Sequence, residues 1–159
     1  VNVGTDLSLY FEDRLTVQYQ IQEMLRIEKI FEAEGIEDEL SAYNPLIPDG
    51  SNLKCTAMLE FGDVAVRREK LAQLVGMEDL VWARVEGMEK VFAISNEDLD
   101  RSTEDKTSAV HFMRFEFSDE MKDALRSGAE LFFGSDHENY RAEVRAEPAI
   151  RASLLQDFD

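Results

Sequence analysis

The stretch SAVHFMRFEF, residues 108–117, decides the fold. In an extended chain it places His111, Met113, Phe115 and Phe117 on one side and Val110, Phe112, Arg114 and Glu116 on the other. The first side is apolar apart from the histidine at its end, and the second mixes apolar with charged. That is a strand with one face on a core and one face turned away from it, the habit of antiparallel sheets. Working outward, the same alternation recurs in DLSLYFED (6–13) and LKCTAMLEFG (53–62). LVWARVEG (80–87) and KVFAISN (90–96) read as a hairpin around a short glycine-containing turn, and AELFFGSD (129–136) and YRAEVRAE (140–147) as further strands.

Helical periodicity separates these strands. A long helix is predicted from Arg14 to Glu34, with Gly35 as its stop, followed by a shorter helix in IEDELSAY (36–43). Asp63 caps DVAVRREKLAQLVGM, Ser118 opens SDEMKDALRSG, and Pro148 sits in the first turn of PAIRASLLQDF. Strands and helices are interspersed without a strict βαβ rhythm. The expected fold is therefore α+β: a single domain over residues 1–159, mainly an antiparallel sheet, packed by the long N-terminal helix through Val17, Ile21, Met24 and Phe31 and by further helices.

With 34 acidic and 17 basic residues the formal charge is −17, which repels phosphate backbones, so nucleic acid is not an expected partner. The acidic runs EAEGIEDE (32–39) and SNEDLDRSTED (95–105) read as solvated helix ends and loops. No apolar run is long enough for a membrane helix. The lone Cys55 excludes an internal disulfide and any multi-cysteine metal site, and fits a reducing cytoplasm. The chain starts on Val, which raises the expectation of an incomplete N-terminus.

No phosphate-cradling glycine pattern and no nucleophile elbow is present, and two histidines leave few triads. Cys55, on a strand, reads as a small buried side chain. On the helical wheel Glu28 falls inside the stripe of Val17, Ile21, Met24 and Phe31, so it is expected to be buried and to need a partner such as Arg114, His111 or Arg14. His111 reads either as a satisfied core histidine or as a ligand. Glu28, His111 and His137, with Asp136 nearby in sequence, could supply an O/N ligand set for a transition metal such as iron. The loop NPLIPDGSN (44–52), braced by two prolines and an Asp-Gly pair, is expected to be ordered and to serve as a pocket lid or docking loop, which adds Tyr43, Asn44 and Asp49 to the binding candidates.

TVQYQIQEMLRIEKIF (16–31), AYNPLIPDGSNLKCTAMLEF (42–61), KTSAVHFMRFEF (106–117) and GSDHENYRAEV (134–144) together resemble the bacterial DUF3501 family of uncharacterised proteins. The resemblance implies a further helical N-terminal segment ending in a basic run. It also implies a redox or oxidative-stress setting, because such genes lie beside those for rubrerythrin-like proteins and iron–sulfur oxidoreductases. No residue inherits a role from it. Two functions follow as expectations: a non-catalytic binding or accessory module working with a redox protein partner, or a metal- or small-molecule-dependent enzyme with its pocket around Glu28 and His111.

Overall fold

The computed structural model describes residues 1–97, 103 and 105–158, so the acidic run 95–105 lies partly outside the described residues. The chain runs β1 (Asn2–Val3), β2 (Leu7–Glu12), α1 (Arg14–Ile27), α2 (Ala33–Tyr43), β3 (Asn52–Leu59), α3 (Val64–Gln73), β4 (Val81–Val85), β5 (Lys90–Phe92), β6 (Ile94–Ser95), β7 (Val110–Glu116), α4 (Asp119–Arg126), β8 (Leu131–His137), β9 (Tyr140–Arg145) and α5 (Pro148–Leu155). Short 3₁₀ turns occupy Asn44–Leu46 and Met77–Asp79. The fold is α+β with antiparallel pairing throughout.

The strands form two sheets rather than one, ordered β1-β2-β3-β7-β6 and β5-β4-β8-β9. One bent segment joins them: Lys90–Phe92 pairs with β4, the Ala93 amide still donates to the Val81 carbonyl (2.8 Å), and Ile94–Ser95 pairs with β7. On the far side the Tyr140 hydroxyl accepts from the amides of Asp6 (2.9 Å) and Leu7 (3.0 Å) and donates to the Val3 carbonyl. The two sheets thereby share one core. Leu9, Leu53 and Phe115 meet Val81, Val85, Leu131 and Phe133, and the Phe133 ring stands 5.1 Å from Phe11 and 5.9 Å from Phe115. In β7, His111, Met113 and Phe115 are buried, alternating with half-buried neighbours, as period two requires.

The N-terminal helix differs from its predicted length. Asp13 and Thr16 form a reciprocal capping box, and α1 then ends at Ile27, not Glu34. Lys29 adopts φ 54°, and the Ile30 and Lys29 amides donate back to the Leu25 (3.0 Å) and Arg26 (3.4 Å) carbonyls. This is a Schellman closure with lysine in the left-handed position glycine usually fills. Gly35 lies inside α2, where a Cβ would overlap Ile30 Cγ2, so it serves close packing rather than termination. Val17 and Ile21 are buried, Met24 is half-buried, and Phe31 is 83% exposed. Phe31 is thus not a core contact.

Candidate functional site

Strand parity sorts the candidates before any contact is considered. Along β7, odd-numbered residues face the shared core and even-numbered ones face outward. His111 and Arg114 therefore sit on opposite faces of one strand. Register then aligns Glu12, Lys54 and Arg114 in one outward row across β2, β3 and β7, and Tyr10, Thr56 and Phe112 in the next.

Over these rows lies the end of α2. Pro45 cannot continue the helix, so the chain turns through Asn44–Leu46, with the Ile47 amide on the Asn44 carbonyl (3.0 Å), and returns to β3. The returning loop is pinned. The Asp49 carboxylate accepts from the Ser51 amide and the Asn52 side chain from the Asp49 amide (both 3.0 Å), while Lys122 Nζ reaches the Gly50 carbonyl (3.3 Å). Asn52 Nδ2 also donates to Glu116 (2.9 Å), and Lys54 donates to the Pro45 carbonyl, tying roof to floor. Between them is a cavity of about 530 Å³, lined by Tyr43, Pro45 and Leu46 on the helix side and Lys54, Thr56, Phe112 and Arg114 on the sheet side, with Glu12 and Glu97 completing the wall. Its size lies within the range of small-molecule sites, roughly 300–1,000 Å³.

Arg114 grips Glu97 with two nitrogens (2.8 and 2.9 Å) and Glu116 with the third. The hydrogen bond from Arg114 holds the Glu97 carboxyl below its usual range, and the same bond pushes the guanidinium further up. Cys55 lies in the core row beneath, where burial drives its thiol far above the ordinary range and out of nucleophilic use at neutral pH.

The remaining predicted site residues do not join this cavity. Glu28 is exposed at the C-cap of α1. His111, on the core face, has Nε2 beside the Ser108 carbonyl and Thr107 Oγ1 (both 2.9 Å) and Nδ1 beside Asn96 Nδ2 (2.8 Å). A carbonyl only accepts, so the network assigns the proton to Nε2; the Thr107 hydroxyl donates to Glu78 (3.1 Å), and Asn96 Oδ1 accepts from the Phe112 amide. His111 is a clamp between β7 and its flanking loops. His137 is likewise held, Nε2 on the Val75 carbonyl (2.9 Å) and Nδ1 accepting from the Asn139 amide (3.1 Å). Glu28, His111 and His137 do not converge on one metal, and among the described residues no group of three or more His, Cys, Asp or Glu is placed to hold an ion. Tyr43 and Arg114 line the cavity, whereas Asn44 and Asp49 shape its loop.

Asp136 belongs to a second arrangement, on the outer face of the second sheet. It accepts from Trp82 Nε1 (2.9 Å) and pairs with Lys90 (3.0 Å), whose Nζ lies 4.7 Å from the indole centroid. Burial alone would raise this carboxyl, but the hydrogen bonds from Lys90 and Trp82 prevail and hold it below the usual aspartate value. Arg84 stands 5.3 Å from the Trp82 ring and 4.8 Å from the Phe132 ring and pairs with Glu143. Gly134 makes room for the indole, because a Cβ there would overlap Trp82 and the Ala142 carbonyl. Sequence reasoning missed this group, although a glycine inside an apolar strand signals a close approach.

A family model described as "Protein of unknown function (DUF3501)" matches residues 1–158. A crystal structure of a protein of unknown function from Burkholderia pseudomallei superposes with a TM-score of 0.91 at 52% identity, covering 100% of this chain and 83% of that one. No curated protein matches.

Proposed function

We propose, for a chain that belongs to the DUF3501 family, that it is a non-catalytic binding module whose ligand is a small amphipathic molecule held under the Tyr43–Leu46 roof. The cavity of about 530 Å³ carries this reading. Its apolar wall of Pro45, Leu46 and Phe112 shields a ligand's body from water, and Lys54 offers a cation beside it. The pinned loop keeps the site preformed, which lowers the ordering cost of binding. The acidic surface, at −17 overall, suits docking on a basic partner, and the DUF3501 resemblance points to a redox protein in that role.

Native mass spectrometry of the protein purified without denaturation tests the pocket. The account expects a co-purifying small molecule that is lost from Thr56→Phe, which fills the cavity from its floor. A mass adduct retained in full by Thr56→Phe at unchanged melting temperature would place the ligand elsewhere and overturn the reading.

A further inference from the structure

We propose that the outer face of the second sheet is a docking surface for a short acidic segment of a protein partner. This goes beyond the pocket, which lies on the other sheet. The register builds a row across all four strands, Lys90–Arg84–Phe132–Arg145, and beside it the row Phe92–Trp82–Gly134–Glu143. Asp136 and Arg141 stand opposite each other in the register one step further along. Within these rows four cations face two carboxylates; Glu143 pairs with Arg84 and Asp136 with Lys90, which leaves Arg141 and Arg145 as the surplus charge, in a chain whose total is −17. The cationic row spans about 14 Å at the usual 4.8 Å strand spacing, a length that an extended peptide of a few residues matches.

The row is also rigid. Arg84 and Lys90 are stacked on Trp82, itself 2% exposed and seated over Gly134, so their charges are positioned before any partner arrives. Arg141 and Arg145 are exposed and make no ion pair among the described residues. Half-buried Phe132 and the more open Phe92 supply apolar ground between the cations. Charge complementarity selects an acidic occupant. Its length selects a peptide over a nucleic acid: fields between exposed charges fade over roughly 8–10 Å, so a short segment beside Arg141 and Arg145 meets a face where cations outnumber carboxylates, while a long polyanion runs on into the acidic remainder of the surface.

Trp82 is the one tryptophan of the sequence, so its emission reports on this face directly. The full chain is titrated with a short peptide of glutamates flanking a phenylalanine, with the lysine counterpart of that peptide, and with an oligothymidylate. The proposal expects a saturable change in Trp82 emission with the glutamate peptide only. The response weakens on raising salt and falls about tenfold or more in the Arg141→Glu, Arg145→Glu double variant at unchanged melting temperature. Should the reversal unfold the chain, Arg145→Gln is measured instead, with a smaller loss expected. No saturable response, an equal response in the variant, or oligothymidylate binding as tight as the peptide would overturn the proposal. A concentration-dependent dimer dissolved by the same substitutions would assign the face to a second copy and overturn it equally.

Discussion

The outer faces of the two sheets share a core and an antiparallel geometry, yet one is roofed and the other bare. On the first sheet the α2 end and its loop cover Lys54, Thr56, Phe112 and Arg114, and the covering creates a cavity. On the second, comparable strands carry Arg84, Phe132 and Asp136, half-buried, over a Trp82 that they and Lys90 cover, and the side chains stabilise one another through stacking and ion pairs. The difference teaches that strand sequence alone does not make a pocket. A connection laid over the strands does, and here two prolines and the Asp49–Asn52 turn hold that connection in place.

Phe133 belongs to both halves of this comparison, so its truncation should weaken both faces together. Phe133→Ala, at a site with 0% exposure, is expected to cost about 3–5 kcal/mol in a denaturant titration. A loss confined to the Trp82 signal would show that the sheets do not share a core. Gly134→Val acts on the second sheet alone. Forcing a side chain beneath the indole should cost about 1–3 kcal/mol and shift Trp82 emission to the red, while leaving the roofed cavity intact.

Asp136 sharpens the same contrast through pH. Its folded carboxyl is held below the unfolded value, so its pairing contributes stability above the unfolded aspartate range and loses it as pH falls through the folded value. Asp136→Asn should therefore narrow the stability difference between neutral and acid pH, and an unchanged acid limb in the melting curves would contradict the pairing. Two smaller effects concern the helix beside the roof. Lys29→Gly, which relieves a left-handed lysine, should stabilise by about 1 kcal/mol. Phe31→Ala should change stability by less than about 0.5 kcal/mol, because the ring is 83% exposed.

Much of the architecture was legible because its signals are local. The alternation in 108–117 fixed which side chains of β7 enter the core, and Asp63 and Ser118 each cap the helix they precede. The errors share a physical origin too. The end of α1 was misread because Lys29 occupies a position that glycine normally marks, which displaced the stop to Gly35 and carried Glu28 and Phe31 onto a helix face that is buried only at Val17 and Ile21. The division into two sheets turns on Ala93, a bend without proline or glycine to announce it. The cavity lining depends on register, which sets Glu12, Lys54 and Arg114 side by side from positions far apart in the chain. Such adjacency is a property of pairing and leaves no trace in any single segment.

The roofed cavity is tested most directly by titrating the protein and its Thr56→Phe variant with anilinonaphthalene sulfonate, an apolar ring system bearing one anion. The account predicts saturable fluorescence enhancement in the parent, with the sulfonate beside Lys54, and at least about a tenfold weaker response in the variant at unchanged melting temperature. Equal binding by both proteins would contradict a ligand site beneath Tyr43–Leu46.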